Sequence, residues 1–444
     1  MAEKLALSGG PKTVPAGLEK EWPPITQDDI DAVVRVLKRG ILWGPTEEEV
    51  QNLQKEFARY IRAKHCLVVN SGTAALHAGV VACGVGPGDE VITSAFSFWA
   101  TSQAVLAANG IPVFVDIEPE TMNMDPDAIE KKITKRTKAL FPVHVHGLPA
   151  DMDPINRIAK KHKLFVIEDA AQAAGAKYKG KFAGTLGDIA GFSLNGSKNL
   201  PAGEGGFVTT NDSKLFERAR MMSMFGEKAV PKGQIRVYDA QIMGFNYRNN
   251  EMSDAFVRSF LKRYDHLQDL RKKNVYFLNE ELGKMKGVKV PTEPKGFVSS
   301  WHLYRIRLYP EQMGVSGVHP KRFRLAFQKC LFEEGVNVRE WHSFPVSGQK
   351  IFLEKEAYGR GCPWSCGHAS EEARKMVYDP MDYPKTLDMF DRSFTIIPFY
   401  PPNDMKLMEL IVKGFRKVHD HLDEVVKLAR KLKVPKDHGE KRDI

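Results

Sequence analysis

The chain has 444 residues, of which 43% are hydrophobic, 10% aromatic and 27% charged, and its 65 basic and 55 acidic side chains give a formal net charge of +10. This composition excludes a disordered, collagen-like or low-complexity chain, and the length suffices for one large core plus a smaller second one. The basic surplus admits nucleic acid, an anionic membrane surface or phosphorylated small molecules as partners.

The opening MAEKLALSGGPKTVPAG has no apolar stretch of signal-peptide length, and no window approaches about 18 uninterrupted apolar residues, so a cytoplasmic chain that does not span a membrane is expected. Cys66, Cys83, Cys330, Cys362 and Cys366 are too scattered for a disulfide framework, which fits a reducing compartment. The first clear element is an amphipathic helix entered through a capping box at Thr46 and Glu49, with Val50, Leu53, Phe57 and Ile61 on its apolar face. Strand-length apolar runs follow: CLVV at 66–69, VIT at 91–93, PVFVDI at 112–117, ALFPVHV from 139, LFVIED from 164, IAGFSL from 189 and GFVTT from 206. AALHAGVVACG, SFWATSQAVLAAN and DPINRIAKKHK between them read as helices.

Strands alternating with helices predict an α/β fold with a mostly parallel sheet covered on both faces. Residues 1–250 are assigned to an N-terminal arm and large domain, 251–434 to a linking helix and smaller α+β domain, and 435–444 to a basic tail. The linking helix is expected to run unbroken from about Ser253 to Met285. In the smaller domain, WHLYRIRLY reads as a strand with alternating faces, KRFRLAFQKCLFEEG as a helix and FTIIPFYPP as an edge strand halted by prolines.

Ligands of open α/β sheets gather at the carboxyl ends of strands, which directs attention to four places. Asn70-Ser71-Gly72-Thr73 opens a helix and suits an anion, with Gly72 permitting close approach and Thr73 adding a donor; alternatively it is a capped turn. Phe98, after VITSAFS, is a core residue or an aromatic plate for a flat ligand. Asp169, followed by Ala170, Ala171 and Gln172, is a buried cap or the counter-charge of a protonated heterocycle. Lys198, in the glycine-framed turn after Ser193, is a solvated surface group or a partly desolvated, nucleophilic amine. A phosphate cradle, an aromatic plate, a carboxylate and, 29 residues later, a lysine are together the parts needed to hold pyridoxal 5′-phosphate (PLP).

NSGTAALHAG, GDEVITSAFSFWAT, HGLPADMD, VIEDAAQAAGA, GDIAGFSLNGSKNLPAGEGGFVTTND and GFNYRNNEMSDA resemble the successive signatures of the DegT/DnrJ/EryC1/StrS family of PLP-dependent sugar aminotransferases. The resemblance covers nearly the whole chain. It implies the PLP-dependent transferase fold type I, a large domain built on a mostly parallel seven-stranded sheet, and a smaller C-terminal α+β domain. It further implies Lys198 as the Schiff-base lysine and proton carrier, and Asp169 as the partner of the pyridine nitrogen. Gln172 would lie near the phenolic oxygen and Phe98 on the ring face. Gly72, Thr73 and Ser193 would hold the phosphate, and Asn246 would reach the phosphate of a neighbouring subunit in a homodimer.

Dehydratase relatives carry histidine where this chain has Lys198, so transamination from L-glutamate or L-glutamine is implied. The resemblance implies a keto-sugar acceptor, nucleotide-linked. The opening LALSGGPKTVPAG resembles the family branch that contains glutamine:scyllo-inosose aminotransferases, which widens the implied acceptor class to keto-cyclitols. The alternatives are a PLP-dependent lyase or decarboxylase and a non-catalytic regulator on the same scaffold. No aromatic-interleaved basic stripe supports nucleic-acid binding. Cys362 and Cys366 with His368 supply too few ligands for a closed zinc site and are read as loop cysteines beside Trp364; no metal is assigned. The insertion they occupy, 354–383, is expected to shape the acceptor pocket. His144 and His146 read as strand-end structural residues, and Trp301 and His302 as core.

Overall fold

Apolar runs of strand length form the central sheet of the computed structural model, which describes residues 3–230, 234–235, 237–434 and 441–442. Its strands are β1 (His65–Val69), β2 (Glu90–Ser94), β3 (Ile111–Val115), β4 (Thr137–Phe141), β5 (Phe165–Asp169), β6 (Ile189–Ser193) and β7 (Gly206–Thr210), in the spatial order β1-β7-β6-β5-β4-β2-β3. Every neighbouring pair is parallel except those made by β7, which runs against both β1 and β6.

Successive strand residues point to opposite faces, and both faces are covered. Leu67, Val69, Phe141, Ile167, Ile189 and Val208 pack under the helices Gly72–Ala82, Ala100–Ala107 and Ser213–Ser223. On the reverse face, Val68, Phe192 and Phe207 meet the helix Glu48–Ile61, while Val113, Leu140 and Val166 meet the helix Met152–His162. The second core surrounds a four-stranded antiparallel sheet ordered Val288–Lys289, Tyr304–Leu308, Ser393–Ile396 and Val338–Arg339. Leu5 and Val14 from the N-terminal arm enter this same core.

Several expectations are corrected. The helix expected from Thr46 begins at Glu48 with no side-chain cap. Its free N–H groups at Glu49 and Val50 donate instead to Glu251, each at 3.0 Å, because a carboxylate from a distant helix outcompetes the local box. A capping box does form at Thr26 and Asp29, opening the unforeseen helix Gln27–Arg39. The linking helix is broken at Lys262 and Arg263 into Glu251–Leu261 and Tyr264–Leu282. There the Arg263 guanidinium is drawn to Asp29, at 2.7 Å.

The FTII strand is interior, since its prolines follow Ile396 and leave the ladder intact. Tyr304–Leu308 alternates as expected, but both of its faces are buried: Tyr304, Ile306 and Leu308 face the second core, whereas Arg305 reaches His146 and Arg307 reaches Pro119 of the large-sheet region.

The insertion does not line the Lys198 turn. Phe352, Trp364, Tyr378 and Tyr383 pack on Phe114 along edge strand β3. Trp364 donates to the Tyr378 hydroxyl, which donates to Pro112 O at 2.7 Å. Cys362 and Cys366, expected as unbonded loop cysteines, form a disulfide because their tight turn holds the Cα atoms 5.4 Å apart, within bridging range. Cys66, Cys83 and Cys330 are free and buried. Much of the basic tail lies outside the described residues, but Lys441 pairs with Asp379 and Arg442 with Asp391. No helix among the described residues is long and apolar enough to cross a membrane.

Candidate active site

The carboxyl ends of β1, β2, β4, β5 and β6 lie along one edge of the sheet, and the Lys198 turn follows β6 there. The turn is held between β6 and β7 by Gly196 N–H donating to Gly203 O at 2.8 Å and Lys198 N–H to Asn195 O at 2.8 Å. Trp22, from the N-terminal arm, donates to Lys198 O at 3.0 Å. Burial pushes the Lys198 ammonium down to about 8, against the opposing charge of Asp169.

Asp169 ends β5: its N–H donates to Pro142 O, its carbonyl accepts from His144 N–H, and the next residue, Ala170, donates its N–H to Gly191 O. Its buried carboxylate accepts from Thr101 Oγ1 at 2.6 Å and from Ala171 N–H at 3.1 Å. Ser97 lies 2.6 Å behind the Thr101 hydroxyl. Burial pushes the Asp169 carboxyl up; the hydrogen bonds and the Lys198 charge only partly oppose it.

Gly72 begins a helix whose cap, Ser71, accepts from Ala74 N–H. A Cβ at Gly72 would lie 2.6 Å from Ser193 Cβ, so only glycine lets the helix start approach the end of β6 this closely. Thr73 and Ser193 are half-buried beside that approach. Phe98 is 47% exposed, and its ring faces His342 at 5.8 Å. Asn246 stands at the margin, exposed, with its carbonyl accepting from Asn70 and its side chain accepting from Arg248.

Gln172 is buried, and its Oε1 accepts His146 N–H at 2.7 Å, which leaves its Nε2 hydrogens as the free end of the amide. Gly147, with φ +93°, makes the turn beneath it; a Cβ there would meet Ser300 Oγ at 2.5 Å.

His302, read from sequence as core, instead lies with Nε2 3.5 Å from Lys198 Nζ, while Trp301 is in the second core. Asn199 donates Nδ2–H to Ser300 O, so its Oδ1 faces His302 Nδ1 at 3.3 Å as an acceptor. The proton of a neutral His302 is thereby placed on Nδ1 and the Nε2 lone pair toward the lysine. Burial first, then the Lys198 charge, holds the His302 imidazole well below its usual range. His144 is committed to Glu168, at 2.8 Å, and to Ala150 N–H. Thr101 gives no sequence signal, and His146 and His302 read from sequence as structural residues, because nothing in their local pattern differs from ordinary packing.

Small residues around Asp169, a glycine-permitted helix start beside Ser193 and a desolvated amine are groups suited to a flat anion with a reactive carbonyl. Comparison with known proteins agrees. Residues 23–382 match the DegT/DnrJ/EryC1/StrS aminotransferase family. A protein of Geobacillus stearothermophilus named pleiotropic regulatory protein is 41% identical over 336 residues, spanning 74% of this chain and 84% of the other. GDP-perosamine synthase of Caulobacter vibrioides is 41% identical over 262 residues, spanning 58% and 69%. The crystal structure of 3-amino-5-hydroxybenzoic acid synthase superposes with a TM-score of 0.75 at 28% identity, covering 93% of this chain and 99% of that one.

Proposed function

We propose that this chain, which belongs to the DegT/DnrJ/EryC1/StrS aminotransferase family, carries an amino group from L-glutamate or L-glutamine to the ketone of a nucleotide-linked sugar or of a cyclitol such as scyllo-inosose. It is a PLP-dependent aminotransferase of fold type I. The observation that carries the acceptor reading is the 41% identity to a protein named GDP-perosamine synthase.

The residues present fit PLP. Gly72, Thr73 and Ser193 would hold its phosphate at the helix start, Phe98 its ring face, Asp169 its ring nitrogen and Gln172 its phenolic oxygen. When bound, PLP supplies an electrophilic carbon and an electron-withdrawing ring that acidifies the carbon bearing the transferred nitrogen. Lys198 Nζ would hold that electrophilic carbon and, once the donor amine has taken its place, would carry a proton from the nitrogen-bearing substrate carbon to that cofactor carbon, and in the opposite direction when the acceptor is aminated. Burial keeps a useful fraction of this amine uncharged near neutrality. Asp169, anchored by Thr101 and Ala171, keeps the ring nitrogen protonated. Asn246 serves the phosphate of a second copy, so the working unit is a homodimer with sites at its interface, acting in the cytoplasm.

Lys198→Ala tests the chemistry. The variant should lose the Schiff-base absorbance band of wild type and lose turnover about a thousandfold or more, and wild type should require both donor and acceptor. Retained turnover overturns the reading, and ammonia or carbon dioxide released from a single substrate would make the enzyme a lyase or decarboxylase. The relative named a regulatory protein favours a second reading, regulation without catalysis. Lys198→Ala would leave such a role intact.

A further inference from the structure

Arg305 is a buried cation without a counter-ion. It is 1% exposed, and its guanidinium lies 5.3 Å from the Phe96 ring centre and 5.9 Å from that of Trp341. Its hydrogen-bond acceptors are all neutral: His146 Nε2 at 3.1 Å, Ser393 Oγ at 2.7 Å, Met389 Sδ at 3.5 Å and Trp341 O. Among the described residues no carboxylate pairs with it; Glu340, the acidic group that acts on it, is bound to Arg324 at 2.8 Å. Burial, reinforced by Arg324, brings Arg305 down to about 9, still cationic at neutral pH. A desolvated charge of this kind is costly unless it is paired or fully hydrogen-bonded, and here only neutral acceptors offset it.

His146 is the route by which the Arg305 field leaves. Because its Nε2 accepts from Arg305 Nε–H, a neutral ring must carry its proton on Nδ1. Burial first, then the Arg305 charge, keeps the ring neutral. Nδ1 is buried and closes no hydrogen bond. The neighbours acting on the ring besides Arg305 are Gln172, His342 and Lys198, of which Gln172 alone favours a proton there. The same Gln172 receives the His146 backbone N–H. His146 holds this pose at φ +56°, an uncommon conformation for a side-chain-bearing residue, fixed by His302 N–H donating to His146 O at 2.8 Å.

We propose that Arg305 and His146 are positioning residues that form a cationic prop behind Gln172, locking its amide with Oε1 inward and Nε2 toward the cofactor's phenolic oxygen, and so favouring the ionised form of that oxygen. The proposal rests on the reading of Gln172 as the phenolic-oxygen contact. Arg305→Met removes the charge. His146→Phe removes the ring but leaves the backbone N–H that holds Gln172.

The test is the visible absorbance of purified holoenzyme titrated against pH, with folding followed by far-ultraviolet circular dichroism. Arg305→Met should raise the midpoint of the cofactor's ionisation, by less than the roughly one unit that a charge in direct contact produces, because it acts through His146 and Gln172. His146→Phe should move it the same way, and Arg305→Lys should return it toward wild type. An unmoved midpoint in folded, cofactor-loaded His146→Phe overturns the prop even if Arg305→Met fails to fold. Absence of any visible band in wild type would instead remove the PLP reading on which the proposal stands.

Discussion

Lys198 is surrounded by groups of opposing influence: burial disfavours its charge, Asp169 favours it, and His302 offers a lone pair to it. The uncharged amine is the nucleophile, so capture of PLP by cofactor-free protein should slow as pH falls through about 8, where the amine becomes protonated. An ordinary lysine would show that midpoint near 10.5. Asp169→Asn removes the charge that stabilises the ammonium, so its capture midpoint should lie lower than that of wild type. Stopped-flow absorbance after mixing with PLP measures both; a wild-type midpoint near 10.5, or an upward move in Asp169→Asn, contradicts the assignment. Lys198 and Asp169 stand out in sequence because each follows an apolar strand. Thr101, His302 and Arg305 do not, since their importance comes only from what folding brings beside them.

At the scale of elements, all seven strands of the large sheet are readable as apolar runs because both of its faces are buried, so periodicity and burial say the same thing. The misreadings share a cause, a partner from far along the chain. Glu251 replaces the expected cap at Thr46, and a second apolar layer buries the arginine face of Tyr304–Leu308, which in sequence looks like a solvent face.

The insertion is the sharpest case. Its aromatics cover β3, a common way to protect an edge strand. Trp364→Ala should therefore cost about 3–5 kcal/mol of stability, as for other buried aromatics, with kcat and KM little changed at temperatures where the variant is folded. Denaturant unfolding beside steady-state kinetics checks this. A normal stability with a raised acceptor KM would return the insertion to the pocket.

For the whole molecule, the question is what covers its exposed apolar surface. Trp43 is 59% exposed, Ile235 90%, Tyr238 80% and Met243 75%. Trp43 and the segment around residues 224–230 line an open cavity of about 690 Å³ that lacks Lys198. Large exposed apolar side chains point to an interaction surface, and Trp43 lines a cleft together with Asn246, the residue assigned to a neighbour's phosphate. A symmetric dimer covers both patches with one contact. Sedimentation should give a dimer, and Met243→Glu combined with Trp43→Glu should weaken it.

The sharing of sites has a stricter test. Asn246→Ala should keep the dimer but weaken PLP binding about tenfold or more, the loss expected for a hydrogen bond to a charged group. Lys198→Ala should be inactive. In a mixed dimer of the two variants, one of the two sites pairs an intact Lys198 with an intact Asn246 from the other chain. At PLP concentrations that saturate wild type but not Asn246→Ala, activity should therefore reappear on co-expression beyond the sum of the separate variants. If each site were built from one chain alone, mixing would restore nothing.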